Sequence, residues 1–170
     1  MLSIERCPLP HNALLKKYDR PGVYADCYRT DVIGEVTHKE FVSSFYTTSL
    51  FKLERAILRW AVSKPSSDIQ AIQLAEGSTD TFAAWYVEDR CENQLLLCDF
   101  RGRTRSWLMV APLETGGVKK TRLYFGSAVT PVRKANASNL SLGFVFSMLL
   151  SFHKLYSVLL LRAAKSKLKT

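Results

Sequence analysis

A short segment in the middle of the chain carries the densest set of side chains that can do chemistry. Residues 98–110 read CDFRGRTRSWLMV, where Asp99 is followed by arginines at alternate positions, Arg101, Arg103 and Arg105. Because side chains two apart on a strand share a face, the arginines can form one stripe. Such a stripe suits a carboxylate or another anion, which a guanidinium binds bidentately. The alternative is that Asp99 pairs with Arg103 or Arg105 across a hairpin and only supports the surface.

Aromatic and polar side chains in neighbouring segments offer a second kind of site. Aromatic residues in the middle of strands either pack in the core or line a pocket for a small molecule. Arg122 and Ser127 can supply polar groups to such a pocket. We therefore predict that a ligand is contacted by these residues: Trp85, Asp99, Arg105, Trp107, Arg122, Tyr124, Ser127, Met148, Phe152 and Tyr156.

Common catalytic and cofactor motifs are missing. The sequence has no GxGxxG, phosphate-binding loop or HExxH motif and no paired carboxylates at catalytic-looking positions. His153 lies in an apolar segment, but no catalytic constellation can be assembled around it. The four cysteines form no CxxC pair and have no zinc-like spacing with a histidine. We therefore expect free thiols, no metal, no cofactor and no assignable catalytic residue.

Periodicity and capping signals predict the elements that position these residues. Aromatic and β-branched residues predict a strand over 23–33. Thr37 with Glu40 matches a capping box, and Ser49 and Ser67 can each cap a further helix. From residue 81 the period changes to two, which predicts four more strands joined by short turns, at 82–88, 94–100, 104–111 and 121–129. Strands joined in this way are antiparallel neighbours.

The apolar run over residues 140–161, LSLGFVFSMLLSFHKLYSVLLL, can be a membrane span or a helix packed on the sheet. On a helical wheel, one wide apolar face includes Met148, Phe152 and Tyr156. The opposite face is mixed and includes Lys154, which is unfavourable near the middle of a bilayer. We therefore predict a helix that covers the sheet. The alternative is a membrane helix, because the spacing of small residues at 143, 147 and 151 also fits close packing between membrane helices.

Length and composition are typical of one globular domain. The chain has 170 residues, of which 47% are hydrophobic and 23% charged. We place an irregular N-terminal lead-in at residues 1–21, which contain three prolines, and a single domain at residues 22–170. No apolar run of secretory length opens the chain, so we expect a cytoplasmic location.

The net charge of +9 is concentrated towards the C-terminus, because no acidic residue follows Glu114. This basic third can be a solvated surface, or it can contact an anionic membrane surface weakly. Basic and aromatic residues are not interleaved as in an RNA-binding sheet, so no nucleic-acid partner is expected. The oligomeric state is left open.

Three strand segments resemble a bacterial protein family of unknown function: FAAWYVEDR at residues 82–90, QLLLCDFRGRTRSWLMV at residues 94–110 and TRLYFGSAV at residues 121–129. The helical segment at residues 45–68 is similar to the same family. That family resembles the START/polyketide-cyclase-like superfamily, whose helix-grip fold wraps an antiparallel sheet around a C-terminal helix. The resemblance implies an α+β, helix-grip-like fold with two or three short helices after the first strand. It transfers no catalytic residue, and the five predicted strands are fewer than the six or seven usual in the superfamily.

These observations predict a small-molecule-binding domain that holds a hydrophobic or lipid-like ligand between sheet and C-terminal helix. One alternative is a cyclase- or hydrolase-type enzyme in which Asp99 and Arg105 point into the same pocket. Another is a peripheral membrane protein that uses the basic C-terminal third.

Overall fold

Seven antiparallel strands form one sheet in the computed structural model of the protein. The structure describes residues 4–53, 66–130 and 141–168, with the side chains of the last range described from residue 154 onward. In chain order the strands are β1 (Glu5–Arg6), β2 (Tyr24–Ile33), β3 (Thr81–Phe82), β4 (Trp85–Cys91), β5 (Gln94–Asp99), β6 (Thr104–Thr115) and β7 (Val118–Val129). Their order across the sheet is β1-β2-β7-β6-β5-β4-β3, and every neighbouring pair is antiparallel.

Helices lie between β2 and β3 and at the end of the chain. α1 (His38–Tyr46) begins with the predicted capping box, in which the Thr37 hydroxyl accepts from the Glu40 N–H and the Glu40 carboxylate accepts from the Thr37 N–H. α2 (Asp68–Glu76) has an equivalent box and ends at Gly77, whose φ of 78° is left-handed. Residues 49–53 are also helical, and the rest of the helix predicted from Ser49 lies outside the described residues.

The long C-terminal helix, α3 (Ser141–Leu168), packs on one face of the sheet as predicted. Leu160, Leu161 and Ala164 are buried with Leu123 and Phe125 of β7. No helix within the described residues is long and apolar enough to cross a membrane. The fold is therefore α+β and helix-grip-like, which confirms the predicted fold class.

Each face of the sheet has its own apolar core. The inner face, which α1, α2 and α3 cover, buries residues from β2, β5, β6 and β7 together with Phe41 and Phe45 of α1. On the outer face, a smaller cluster joins the N-terminal segment, which comprises residues 4–21, to the sheet. It consists of Ala13, Leu15, Cys27, Leu96, Trp107, Met109 and Ala128. The sheet is thus covered on both sides, although only one covered side was predicted.

The N-terminal lead-in is more regular than the sequence indicates. β1 pairs with the edge of β2, and a 3₁₀ helix (Leu14–Tyr18) lies against the outer face. β1 and β3 complete the seven strands, but each has only two residues, which is too short to show a periodic pattern. This explains why only five strands were predicted.

Gly126 of β7 lies where Leu15 of the N-terminal segment closely approaches the sheet. A Cβ atom at this position would lie 2.8 Å from Leu15 Cδ2 and 2.9 Å from both the Asp26 carbonyl oxygen and Trp107 Cε3. We expect Gly126→Ala to lower the free energy of unfolding by about 1–3 kcal/mol, because the backbone oxygen cannot move aside cheaply. Urea denaturation measures this change, and an unaltered midpoint would contradict the close approach.

Candidate functional site

The predicted site residues lie on both faces of the sheet instead of in one pocket. Side chains alternate between faces along a strand, so one step in sequence changes the side. The inner face receives Trp85, Asp99 and Ser127, and Tyr156 of α3 packs against the inner core. The outer face receives Arg105, Trp107, Arg122 and Tyr124. The side chains of Met148 and Phe152 lie outside the described residues.

Arg105 contacts the N-terminal segment and helps to hold it on the outer face. Its Nε donates to Glu88 Oε2 at 2.9 Å, and its guanidinium stacks over the Tyr18 ring at 4.5 Å. The Tyr18 hydroxyl donates to Glu88 Oε1 at 2.6 Å, and Lys17 Nζ lies 2.8 Å from the same oxygen. Burial opposes ionisation of Glu88, but these hydrogen bonds outweigh it and lower its pKa. Arg105 is therefore fully engaged within the protein.

Trp107 is completely buried beneath the same segment, where Gln94 provides the polar contacts. Gln94 Oε1 accepts from Trp107 Nε1 and from the Leu14 N–H, each at 2.9 Å. Gln94 Nε2 donates to the Asn12 carbonyl oxygen, also at 2.9 Å. Sequence reasoning missed Gln94, although one amide beside the apolar run LLLC is a recognisable signal of a buried polar contact.

Arg122 forms a bidentate pair with Asp31, which lies directly opposite on β2. Its Nε lies 2.7 Å from Asp31 Oδ1, and its second terminal nitrogen lies 3.0 Å from Oδ2. These hydrogen bonds lower the pKa of the Asp31 carboxyl group. The structure therefore gives Arg122 an internal carboxylate partner on the outer face.

Asp99 closes the hairpin between β5 and β6. Its Oδ1 accepts from the backbone N–H groups of Arg103 at 2.6 Å and Thr104 at 3.0 Å. The predicted pairing with an arginine side chain is thus replaced by contacts to the backbone. Arg105 stands opposite Cys98 in the register and therefore shares its face of the sheet. Asp99 is the next residue after Cys98, so alternation along β5 places it on the other face. The enzyme hypothesis requires Asp99 and Arg105 to point into the same pocket, and the structure does not bring them together.

A row of buried polar residues crosses the inner face from β2 to β6. Asp26, Ser127 and Ser106 are consecutive partners in the register, and all three are buried. Asp26 Oδ1 accepts from the Ser127 hydroxyl at 2.6 Å, and its Oδ2 accepts from the Tyr24 hydroxyl at 2.9 Å. Burial and the neighbouring carboxylate raise the pKa of Tyr24. Buried polar groups need such partners, since burying them unpaired is costly.

An aromatic cluster packs beside this row. The Tyr46 hydroxyl lies 3.1 Å from Ser106 Oγ, which joins α1 to the polar row. The Tyr46 ring lies 4.9 Å from that of Phe51 and 5.4 Å from that of Phe82, and Phe45 lies 4.8 Å from Phe125. The polar row is thus bordered by rings from α1, residues 49–53, β3 and β7.

Trp85 has a buried indole N–H donor that finds no hydrogen-bond partner among the described residues. Its side chain packs against the inner core, yet its indole Nε1 has no acceptor within reach in the described part of the chain. An unpaired buried donor of this kind costs about 1–3 kcal/mol. Trp85 and Tyr24 both lie at the end of the sheet where β7 stops at Val129. We call Tyr24, Asp26, Trp85, Ser106 and Ser127 together the inner polar end.

Sequence reasoning found two of the five members of the inner polar end, Trp85 and Ser127. Tyr24, Asp26 and Ser106 were missed as site residues. The signal for Asp26 is a carboxylate on the core-facing side of a predicted strand, midway between Tyr24 and Tyr28. Without the register, that signal does not show which residues of other strands it meets.

Comparisons with known proteins give no family. No protein-family model matches the chain, and no curated protein matches it significantly. Among solved structures, the chain is similar to CalU16 from Micromonospora echinospora, with 14% sequence identity over 98% of this chain and 92% of that chain and a TM-score of 0.28. A TM-score this low carries no argument. The helix-grip-like description therefore rests on the seven-stranded antiparallel sheet and the packing of α3.

Proposed function

We propose that this protein binds a hydrophobic small molecule between the inner face of the sheet and α3. The observation that carries the proposal is the Trp85 indole N–H, which is buried without an acceptor among the described residues. A carbonyl or hydroxyl oxygen of a ligand would satisfy this donor. The ligand class is thus a molecule with an apolar body and at least one acceptor oxygen.

The surroundings of Trp85 support this class of ligand. Small-molecule sites are mostly apolar and aromatic and contain a few polar groups that fix the orientation of the ligand. The aromatic cluster around Tyr46 provides the first component. The inner polar end provides the polar groups, because Asp26 and Ser127 are hydrogen-bonded to each other at the same end of the sheet as Trp85.

Native mass spectrometry tests the proposal. We expect the full chain, incubated with a total bacterial lipid extract, to retain a bound molecule of defined mass. Trp85→Phe keeps an aromatic ring but removes the N–H, so the retained fraction falls by about two- to tenfold, the value of one hydrogen bond. Among the described residues of the ligand-free protein, removal of this N–H breaks no hydrogen bond, and the smaller ring gives up only part of its packing against the inner core.

Tyr86→Phe is the matched control for this experiment. Tyr86 is the next residue on β4, it is exposed, and strand alternation places it on the outer face. This variant is expected to retain the bound molecule as the unaltered protein does. Absence of any bound molecule, or equal retention by Trp85→Phe, would contradict the proposal.

Two lysines of the basic C-terminal third make hydrogen bonds to other parts of the protein. Lys165 is 8% exposed, and its Nζ donates to Thr30 Oγ1 at 2.6 Å. Lys167 donates to the carbonyl oxygen and the hydroxyl of Thr47. These lysines help to fasten α3 to β2 and to the end of α1. Contact with an anionic membrane surface stays a prediction from the charge pattern of the sequence.

A further inference from the structure

Cys7 and Cys27 face each other across the edge of the sheet. β1 pairs Glu5 with Arg29 and Arg6 with Tyr28, so the next opposed pair in this register is Cys7 with Cys27. The Cys7 N–H donates to the Cys27 carbonyl oxygen at 2.9 Å, and the two Sγ atoms lie 3.4 Å apart. Directly opposed residues of antiparallel strands have Cα atoms about 4.5–5.5 Å apart, which lies within the range that a disulfide spans.

The two thiols differ in access. Cys27 is 1% exposed, whereas Cys7 is half-buried and lines an open cleft of about 440 Å³. The other residues of this cleft include Pro8, Leu9 and Asp19, which belong to the N-terminal segment. A small oxidant can therefore reach Cys7 through the cleft, with Cys27 directly behind it.

The surroundings of Cys7 favour the reactive form of its thiol. Hydrogen bonding with Cys27 lowers the pKa of Cys7 most, and the guanidinium groups of Arg29 and Arg122 lower it further, although burial opposes them. The thiolate is the nucleophilic form of cysteine, so a lower pKa increases the reactive fraction at neutral pH. Cys27 has a raised pKa, with hydrogen bonding to Cys7 and burial as the main causes.

We propose that Cys7 and Cys27 are a modification site, at which a peroxide converts the two thiols into a reversible disulfide. The Cys7 thiolate attacks one peroxide oxygen and breaks the O–O bond, which gives a sulfenic acid and, after protonation, one water. The Cys27 thiol then attacks the sulfenic sulfur, and the hydroxyl leaves with a proton as a second water. Both thiols are oxidised by one electron each, and one peroxide is reduced to two waters. A dithiol reductant reverses the bond.

The disulfide would hold the N-terminal segment on the outer face of the sheet. Cys27 follows Cys7 by 20 positions in the sequence, and the 3₁₀ helix packed on the sheet lies between them. Gln94 and Glu88 already hold the middle of this segment through Leu14 and Tyr18, whereas β1 has only two residues to hold its beginning. Closing the loop restricts the unfolded chain and thereby stabilises the folded one.

The test uses the full, reduced chain treated with hydrogen peroxide. We expect a mass loss of two hydrogens, a proteolytic peptide that links Cys7 to Cys27, and a rise in melting temperature of roughly 5–10 °C. Dithiothreitol is expected to reverse all three changes. Cys91→Ser, which alters the exposed cysteine of β4, is the control and should behave as the unaltered protein does. Cys7→Ser should show neither the link nor the temperature rise.

Each other outcome would overturn the proposal. These outcomes are oxidation of Cys7 to a sulfinic acid without a link, a link that involves Cys91 or a second molecule, and a Cys7–Cys27 link that leaves the melting temperature unchanged. If Cys7→Ser does not fold, peptide mapping of the unaltered protein decides the question by itself.

Discussion

Replacing Gln94 with leucine lowers the free energy of unfolding by about 3–5 kcal/mol, the largest effect that we expect from one substitution. Leucine has a similar volume but cannot form hydrogen bonds. Three groups lose their partner at once: the Leu14 N–H, Trp107 Nε1 and the Asn12 carbonyl oxygen. An unpaired buried group costs about 1–3 kcal/mol, and Trp107 is fully buried, so water cannot replace the amide there; the contacts to Leu14 and Asn12 are partly buried and contribute less each.

Urea denaturation and limited proteolysis measure the effect of Gln94→Leu. The urea midpoint should fall, and cleavage within the N-terminal segment should become faster, because Gln94 holds that segment on the outer face. Gln73→Leu is the matched control, since Gln73 is exposed on α2 and the same substitution there should change stability by about 0.5 kcal/mol or less. Equal effects of the two substitutions would show that the Gln94 contacts contribute little.

Lowering the pH from 7.5 to 5 lowers the free energy of unfolding by roughly 2 kcal/mol through His38 alone. His38 begins α1 and lines a small cavity of about 140 Å³ with Glu76, Arg90 and Glu92. Its Nε2 is buried without a partner among the described residues. Burial chiefly, and the charge of Arg90 in addition, lower its pKa from 6.5 to about 4, although a backbone hydrogen bond to Leu108 opposes this.

The direction of this effect follows from the order of the two pKa values. The folded pKa lies below the unfolded value, so the unfolded chain binds more protons between about pH 6.5 and pH 4. The contribution of His38 to stability is therefore complete above pH 6.5 and is lost as the pH falls towards 4. Carboxylates with lowered pKa values, such as Asp31, lose their contribution at lower pH.

Urea midpoints at several pH values isolate the contribution of His38. His38→Gln should reduce the decrease in stability between pH 7.5 and pH 5 by the predicted amount, because glutamine does not titrate. His11→Gln is the control, since His11 is exposed and its replacement should leave the pH dependence unaltered. A pH dependence that is the same in the unaltered protein and in His38→Gln would contradict burial of a neutral imidazole.

Local patterns were sufficient where neighbouring residues decide the structure. The Thr37 and Glu40 capping box forms as predicted because both partners belong to the same turn of α1. Ser67 caps α2 in the same way, and Gly77 ends it. The apolar face of the C-terminal run packs on the sheet, because one wide apolar stripe is stable only against another apolar surface.

The candidate site depended on contacts between residues that are distant in sequence. Arg105 and Trp107 are residue types that often line ligand pockets, but the N-terminal segment covers both of them on the outer face. Glu88 of β4 accepts a hydrogen bond from Arg105, and Gln94 of β5 accepts one from Trp107. Nothing within residues 98–110 indicates that residues 13–18 occupy this surface. The sequence did not indicate the partners of Asp26 either. Ser127 is 101 residues further along the chain, and only the β2–β7 register places it opposite Asp26.

The sequence by itself determined the strands of more than a few residues, the helix caps and the C-terminal helix, since each depends on periodicity and on interactions within a turn. The tertiary structure decided which face of the sheet each strand residue occupies and which polar groups meet there. A strand shows alternation in its sequence, but only its neighbours establish which side is inner. That decision separates Trp85 and Ser127 from Arg105 and Arg122, and it places the proposed ligand contact at the inner polar end.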